Sequence, residues 1–169
     1  MKNLTLKKIS EICNGKLYAD KSIENIEISS ITTDSRKVEN DCMFVAIKGE
    51  RVDGNKFING AYEDGAIVCL SEDEPDKNSI NISEKNGYIV VKSCFQALKD
   101  IAEYYREVMN TKIVGITGSV GKTSTKEMLA AVMSEKFNTL KTQGNFNNEV
   151  GVPLTLFRLR EEHELAIVE

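Results

Sequence analysis

The chain has 169 residues, of which 41% are hydrophobic and 28% charged, and its net charge is −4 at pH 7. These values predict a soluble globular protein of one or two domains and give no indication of a nucleic-acid partner or an anionic membrane surface. No apolar run approaches the ~20 residues of a transmembrane helix, and the N-terminus lacks a signal-peptide pattern, so we expect a cytoplasmic protein without membrane insertion.

The first 109 residues alternate between short helical and strand patterns. Helical spacing predicts helices over residues 4–13, 56–63 and 93–109, with Thr5 and Ser93 as N-caps. Apolar, β-branched runs predict strands over residues 26–33, 42–48, 66–70 and 88–91. The polar segment 71–87 is typical of an exposed loop, with room for one short strand near residues 80–82.

A new strand–loop–helix unit begins near Asn110, which predicts domains at residues 1–109 and 110–169. Strands are expected at 113–116, 137–141 and 165–168, and the first of them has the composition of a parallel strand covered on both faces. Helices should begin at Lys122 and near residues 152–153. The buried side of the first of these helices is predicted to hold Met128, Leu129, Val132 and Met133.

The connection after the first of these strands has the features of a phosphate-binding loop. Its glycines allow a tight turn that brings backbone N–H groups near an anion, and the following helix N-terminus favours phosphate. Lys122 would reach the β- and γ-phosphates as a catalytic group, and Thr123 would contact Mg²⁺. The predicted nucleotide-binding residues are Gly118, Ser119, Gly121, Lys122, Thr123 and Ser124. The strict pattern has a glycine where Ile116 stands, so an ordinary strand–helix connection is the alternative.

Three asparagines, Asn145, Asn147 and Asn148, lie between Gly144 and Gly151. Asparagine amides bond turn backbone readily, which favours a plain turn before the next helix. The same amides could line a binding cleft. Spacing alone leaves these two interpretations equal.

The four cysteines are far apart in sequence and include no C-x-x-C pair, and His163 is the one histidine. This pattern disfavours a metal site and predicts buried thiols in a reducing compartment. They are Cys13, Cys42, Cys69 and Cys94.

Several stretches together resemble the Mur ligases, the ATP-dependent amide-forming enzymes of peptidoglycan precursor synthesis. The loop T-G-S-V-G-K-T at 117–123 is similar to that family's own phosphate loop. Residues 31–38 and 43–49 are similar to its N-terminal domain. Residues 123–128 and 142–156 are most similar to the member that adds D-alanyl-D-alanine to UDP-N-acetylmuramoyl-tripeptide.

The resemblance implies an α/β protein: a small mixed α/β UDP-sugar-binding domain, then the start of a P-loop parallel-sheet ATPase domain, with the family's C-terminal domain absent. It implies ATP and Mg²⁺ as cofactors. The substrates would be UDP-N-acetylmuramoyl-tripeptide and D-alanyl-D-alanine, joined through an acyl-phosphate. We expect the full-length enzyme to be a monomer and this fragment to be inactive alone.

The resemblance also assigns residues. Thr123 and Glu169 would hold the metal ion, although Glu169 could also be a simple charged strand end. Substrate binding is assigned to Asp34, Ser35, Arg36, Thr142, Asn145, Asn147 and Asn148. For residues 34–36, a polar turn between strands is the alternative.

Three other functions compete with this one. The first is the sister ligase that adds the third amino acid to UDP-N-acetylmuramoyl-dipeptide, against which the stretch 144–153 argues. The second is a non-catalytic nucleotide-binding module. The third is a small P-loop kinase, which would need a complete core sheet and a lid.

Overall fold

The computed structural model describes residues 1–49, 52–76, 80, 82–144 and 146–169. The chain divides into two units, Met1–Ile101 and Ala102–Glu169. Both combine helices with largely parallel sheets, which confirms the predicted α/β class. The division lies within a helix that ends at Met109, and the domain boundary predicted at 109/110 stays a prediction.

The first unit contains a five-stranded sheet. Its strands are β1 (Lys16–Tyr18), β2 (Ile31–Thr32), β3 (Met43–Val45), β4 (Val68–Ser71) and β5 (Gly87–Val90). They lie in the order β1-β5-β4-β3-β2, in which only the β1–β5 pair is antiparallel. The central strands β3 and β4 are fully buried, as expected for parallel strands covered on both faces.

The helices of this unit are α1 (Leu6–Ile12), α2 (Ile58–Glu63) and the first part of α3 (Cys94–Met109), with 3-10 turns at Ser35–Lys37 and Gly54–Phe57. Both predicted caps are confirmed. Thr5 Oγ1 accepts from the Lys8 N–H at 3.1 Å, and Ser93 Oγ accepts from the Gln96 N–H at 3.3 Å. Each satisfies a backbone N–H that lacks a partner within its helix.

The strand predicted over residues 26–33 is mostly wrong, because only Ile31–Thr32 pairs as a strand. Backbone groups before it bond elsewhere: Ile28 N donates to Leu4 O at 3.0 Å, and Ser29 N donates to Asp41 O at 2.9 Å. The short strand predicted near residues 80–82 includes residue 81, which lies outside the described part of the chain.

The second unit contains β6 (Lys112–Gly115), β7 (Thr139–Lys141) and β8 (Leu165–Val168), with the helices α4 (Lys122–Ser134) and α5 (Gly151–Leu156). All three strands are parallel, in the order β6-β8-β7. Ala130, Leu165 and Ile167 form the buried centre of this unit. The carboxyl ends of the strands therefore meet at one edge of the sheet, where ligands of open α/β sheets bind.

The expectation that β6 is covered on both faces is wrong: Lys112 and Gly115 are exposed, and Ile113 and Val114 are half-buried. In the described part of this sheet, β6 lies at an edge and pairs with β8 alone, so it is less enclosed than the central strand β8. A sequence of strand type does not show which strand is central.

The predicted buried side of α4 is also partly wrong. Met128 and Val132 are 71% and 69% exposed. The side facing the sheet contains Lys126, Leu129, Ala130 and Met133, of which Lys126 and Ala130 are buried. These positions follow the i, i+3, i+4, i+7 spacing of one helical face. Because the first of them is a lysine, a search for apolar residues does not recognise this face.

Across the described ranges, no helix combines the length and the apolar composition that crossing a bilayer would require.

Candidate functional site

The loop after β6 has the backbone geometry of an anion cradle. Gly118 has φ +151° and Gly121 has φ +78°, and Gly121 directly precedes the first residue of α4. A side chain at Gly121 would meet no atom within 4 Å, so glycine is needed there for its backbone conformation rather than for space. The loop thus delivers the chain into a helix N-terminus, where N–H groups and the helix dipole attract phosphate.

Lys122 reaches back over this loop. Its ammonium donates to the carbonyl oxygen of Gly118 at 2.8 Å on the exposed side of the loop. The positive charge therefore lies at the glycine loop itself. If a phosphate group were bound here, the ammonium could donate to an anionic phosphate oxygen instead of the neutral carbonyl oxygen of Gly118.

Glu169 follows the central strand β8 and lies beside the start of α4. The hydroxyl of Thr123 is 3.2 Å from each carboxylate oxygen of Glu169. The residues that the sequence assigned to the metal ion are therefore neighbours in space, although 46 positions separate them in the chain. A hydroxyl and a carboxylate are both oxygen ligands of the kind that Mg²⁺ prefers.

A lysine that the sequence did not single out completes this arrangement. The side chain of Lys126 is fully buried, and its ammonium is 3.2 Å from Glu169 Oε2. The same ammonium donates to the carbonyl oxygen of Gly144 at 3.3 Å and is 3.7 Å from Glu127. One sequence signal for this position exists. Lys126 lies three and four residues before Leu129 and Ala130, which is the spacing of residues that share one helical face.

The segment after β7 supplies two further contacts to Glu169. The buried hydroxyl of Thr142 accepts the backbone N–H of Glu169 at 3.0 Å. The side-chain amide of Asn147 donates to Glu169 Oε1 at 3.1 Å. Thr142 thereby fixes the backbone of Glu169, and Asn147 fixes the Glu169 carboxylate. The substrate contacts predicted for Thr142 and Asn147 stay predictions.

Asn148 has a different role in this structure. Its side-chain oxygen accepts the N–H groups of Val150 at 3.2 Å and Gly151 at 2.7 Å, and so closes the turn that leads into α5. This is the turn-forming behaviour considered from the sequence, and the substrate role stays a prediction. Asn145 lies outside the described residues.

The environment of Glu169 has opposing effects on its charge. Burial raises the pKa of the carboxyl, but the hydrogen bonds from Asn147, Lys126 and Thr123 and the charge of Lys126 outweigh it, so the net effect lowers the pKa. The group is thus held as a carboxylate at neutral pH, the form that a cation requires.

The described residues fit a nucleotide-bound magnesium ion better than a cation held by the protein alone. No three His, Cys, Asp or Glu side chains of the described part of the chain are grouped to hold a metal. Magnesium commonly binds one or two carboxylates and completes its shell with water and substrate phosphates. Glu169 and Thr123, beside an open phosphate cradle, match that pattern.

The residues assigned to the sugar nucleotide lie in the first unit. Asp34 caps the 3-10 turn Ser35–Lys37, and Arg36 binds its carboxylate through Nε and a terminal nitrogen, both at 2.8 Å. The turn forms one wall of a cleft of about 480 Å³. The cleft is lined by Thr33, Asp34, Ser35, Arg36, Phe44, Ile47, Gly49, Val52, Gly54 and Phe57.

Of the predicted loop residues, Ser119 and Ser124 are exposed and Lys122 is half-buried. Lys122, Thr123 and Glu169 gather at one edge of the second sheet, together with Asn147. Asp34, Ser35 and Arg36 belong to the other unit. The predicted nucleotide, metal and substrate roles of all these residues stay predictions.

Two family profiles match the chain. The Mur ligase family catalytic domain matches residues 27–106, and the Mur ligase middle domain matches residues 116–169. The UDP-N-acetylmuramoyl-tripeptide–D-alanyl-D-alanine ligase of Bacillus subtilis is 38% identical over 165 residues, covering 98% of this chain and 35% of that protein. The chain therefore spans about a third of the length of this curated relative.

Solved structures agree with the sequence matches. MurF from Acinetobacter baumannii superimposes with a TM-score of 0.85 at 37% identity, covering 98% of this chain and 35% of that one. MurF ligase from Thermotoga maritima in complex with ADP gives a TM-score of 0.72 at 32% identity, covering 83% of this chain and 31% of that one. With profiles of one family matching the sequence of each unit, the chain belongs to the Mur ligase family.

Proposed function

We propose that this chain contributes the UDP-sugar-binding domain, residues 1–109, and the beginning of the ATP-binding domain, residues 110–169, of an ATP-dependent peptide synthase. The reaction joins D-alanyl-D-alanine to UDP-N-acetylmuramoyl-tripeptide. The proposed enzyme works in the cytoplasm as a monomer and uses ATP with Mg²⁺. Because these 169 residues span about a third of the length of the relatives they match, we expect them to be inactive by themselves.

One observation carries this proposal: the exposed phosphate cradle and Lys122 lie beside the Thr123–Glu169 pair. The choice of substrates is supported by the relatives, several of which are named for this reaction at 37–40% identity over the entire chain or nearly so. The solved relative with bound ADP supports a nucleotide in the loop.

The chemistry requires a protein that can bring anions together. The γ-phosphoryl group of ATP would pass to the terminal carboxylate of the tripeptide, leaving ADP. The amine of the dipeptide would then displace phosphate from this acyl-phosphate and form the amide. Lys122 and the loop N–H groups would hold and offset the phosphate charge. Thr123 and Glu169 would hold Mg²⁺, and the cleft beside Asp34 and Arg36 would take the sugar nucleotide.

The proposal is tested by phosphate release from a protein extended beyond Glu169 to the length of its relatives. The assay contains ATP, Mg²⁺, UDP-N-acetylmuramoyl-tripeptide and D-alanyl-D-alanine. Release should require both substrates. It should fall at least about 100-fold in Lys122→Ala, because a preorganised charge on the transferred group is worth that much or more.

Other substrate pairs identify the alternatives. Release with UDP-N-acetylmuramoyl-dipeptide and a free diamino acid would assign the chain to the sister ligase. Nucleotide binding without release from either pair would contradict the ligase and favour a nucleotide-binding module.

A further inference from the structure

Lys126 is held in the interior of the second unit on three sides. Its side chain has 0% exposure, and its ammonium contacts Glu169 Oε2 at 3.2 Å and the Gly144 carbonyl at 3.3 Å. Glu127, its third neighbour at 3.7 Å, is half-exposed and also pairs with Lys141. The ammonium is thus fixed by backbone and carboxylate together.

Stability alone explains this lysine poorly. Desolvating an ammonium and a carboxylate costs several kcal/mol, which their attraction inside a protein often only offsets. An apolar side chain such as methionine would pack the same helical face against Leu129 and Ala130. The buried pair is better understood through the geometry that it imposes on Glu169.

The two carboxylate oxygens of Glu169 have partners of different kinds. Oε2 contacts the buried Lys126, whereas Oε1 accepts from the exposed Asn147 at 3.1 Å. Thr123, which is also exposed, is 3.2 Å from both oxygens. The Glu169 side chain is itself 2% exposed, so a cation would reach it by displacing the exposed donors Thr123 and Asn147 and not the enclosed ammonium of Lys126.

We propose that Lys126 is a positioning residue for the metal ion: it holds Glu169 Oε2 so that Oε1 faces a cation on a nucleotide in the loop. This inference rests on the proposed function and extends it to a residue outside the phosphate loop. Lys126 would act through Glu169 and touch neither nucleotide nor cation.

Two effects of Lys126 on the cation oppose each other. Its charge repels a cation nearby, which weakens binding to Glu169. Its contact fixes the carboxylate, which strengthens binding, and losing a partner of this kind commonly costs 10- to 100-fold in metal affinity. Because nucleotide phosphates bring further negative charge to the cation, we expect the positioning effect to dominate when nucleotide is present.

The test uses the 169-residue chain and a fluorescent ADP analogue, titrated with and without Mg²⁺. The readout is the ratio of the dissociation constants without and with Mg²⁺. In Lys126→Met this ratio should fall by about 10- to 100-fold, towards the value of Glu169→Gln. The dissociation constant without Mg²⁺ should change less than about twofold, because the loop N–H groups and Lys122 are intact.

Three further variants make the result decisive. Lys136→Met removes an exposed lysine just beyond α4 and should behave like the unaltered chain. Lys126→Arg keeps the charge and should recover part of the ratio. The double variant Lys126→Met/Glu169→Gln leaves no unpaired buried carboxylate, and its circular dichroism should match that of the unaltered chain.

An unchanged or increased ratio in Lys126→Met would overturn the inference. So would equal losses of affinity with and without Mg²⁺, since these would show collapse of the loop. Binding that Lys122→Ala abolishes but Lys126→Met leaves normal would keep the proposed function and reject only the positioning role. A chain without nucleotide affinity would contradict both.

Discussion

Asp34 and Arg36 show how a sequence neighbour can fix the ionisation of an exposed group. The guanidinium of Arg36 donates two hydrogen bonds to the Asp34 carboxylate, and the Arg36 backbone N–H donates a third at 3.1 Å. These bonds, with the Arg36 charge, lower the pKa of Asp34 from 3.8 to about 2. A fixed carboxylate thus stands at the wall of the first unit's cleft.

Replacing Arg36 should release this carboxylate. In Arg36→Ala the side-chain hydrogen bonds and the adjacent charge are lost, so the pKa of Asp34 should rise from about 2 towards 3.8. Carboxyl chemical shifts followed by NMR between pH 1.5 and 6 would measure it. Lys37→Ala is the comparison, because the Lys37 charge is the smallest of the causes that lower this pKa and its loss should raise the pKa less. A pKa unchanged in Arg36→Ala would contradict the role given to the guanidinium.

The same interaction makes the stability of the folded protein depend on pH. Because the pKa of Asp34 is lower in the folded protein, its contribution is fully present above pH 3.8 and is lost as the pH falls towards about 2. Arg36→Ala should therefore flatten the pH dependence of unfolding in that interval. The interaction is exposed, so the effect should be small.

The positions of Thr123 and Glu169 could be predicted from the sequence, whereas for Lys126 helical spacing indicated the helix face but neither the burial nor the ion-pair partner. Glu169 directly follows the strand β8, and Thr123 lies in the first turn of the helix that follows β6. Because parallel strands align their carboxyl ends, the proximity of these two residues was accessible to sequence reasoning. A buried lysine contradicts the usual exposure of that residue type. Its partner Glu169 lies 43 positions away, and only the folded sheet brings the two together.

At the scale of elements, the turn before α5 depends on one glycine. A β-carbon at Gly151 would lie 2.5 Å from both the Cα and the carbonyl carbon of Phe146, and backbone cannot rotate away as a side chain can. The turn places the Asn147 amide where it donates to Glu169, and the Asn148 side-chain oxygen where it accepts the Gly151 N–H. The packing of two backbone segments therefore supports the carboxylate.

Gly151→Ala should consequently destabilise the second unit. Forcing atoms into a packed contact typically costs about 1–3 kcal/mol, and we expect a loss in that range from urea unfolding. Crosspeaks of the Asn147 side-chain amide should shift as its bond to Glu169 loosens. An unfolding free energy equal to that of the unaltered chain would show that the turn adapts freely.

Gly60→Ala is the matched control for this substitution. Gly60 lies exposed within α2, and a β-carbon there would meet no atom within 4 Å. Alanine in place of glycine in an accessible helix should raise stability by about 0.5–1 kcal/mol. The same chemical change should thus have opposite signs at the two positions.

The elements themselves were predictable where burial and composition agree. The strand Leu165–Val168 matches its prediction, because a buried central strand is a continuous apolar run. The strand Lys16–Tyr18 was not predicted. Its lysine, leucine and tyrosine show no strand pattern by themselves, and they form a strand because they pair with β5. Short edge strands depend on tertiary pairing more than on their own composition.

At the scale of the whole molecule, the cysteines report on folding. Cys42, Cys69 and Cys94 are buried, and Cys13 is partly exposed. Burial, with a nearby Asp100, raises the pKa of Cys13 to about 12, and burial, with Glu72, raises the pKa of Cys94 to about 12. At pH 8 the reactive thiolate is then on the order of one in ten thousand of each group.

Alkylation should therefore distinguish the folded chain from the unfolded one. Iodoacetamide at pH 8 should label the native chain slowly, and four thiols should react rapidly in 6 M guanidinium chloride. Mass spectrometry counts the adducts over time. A native chain that labels as quickly as the denatured one would contradict the burial described for these residues.

The strand order of the second unit also dictates when its sheet can form during synthesis. Within the described residues, both β6 and β7 pair with β8, which the ribosome makes last of the three. Until residue 168 has left the exit tunnel, the earlier two strands have no partner and the apolar side of α4 has little to cover it. This nascent segment is therefore a natural client for a chaperone, whereas the five described strands of the first unit have by then all been made.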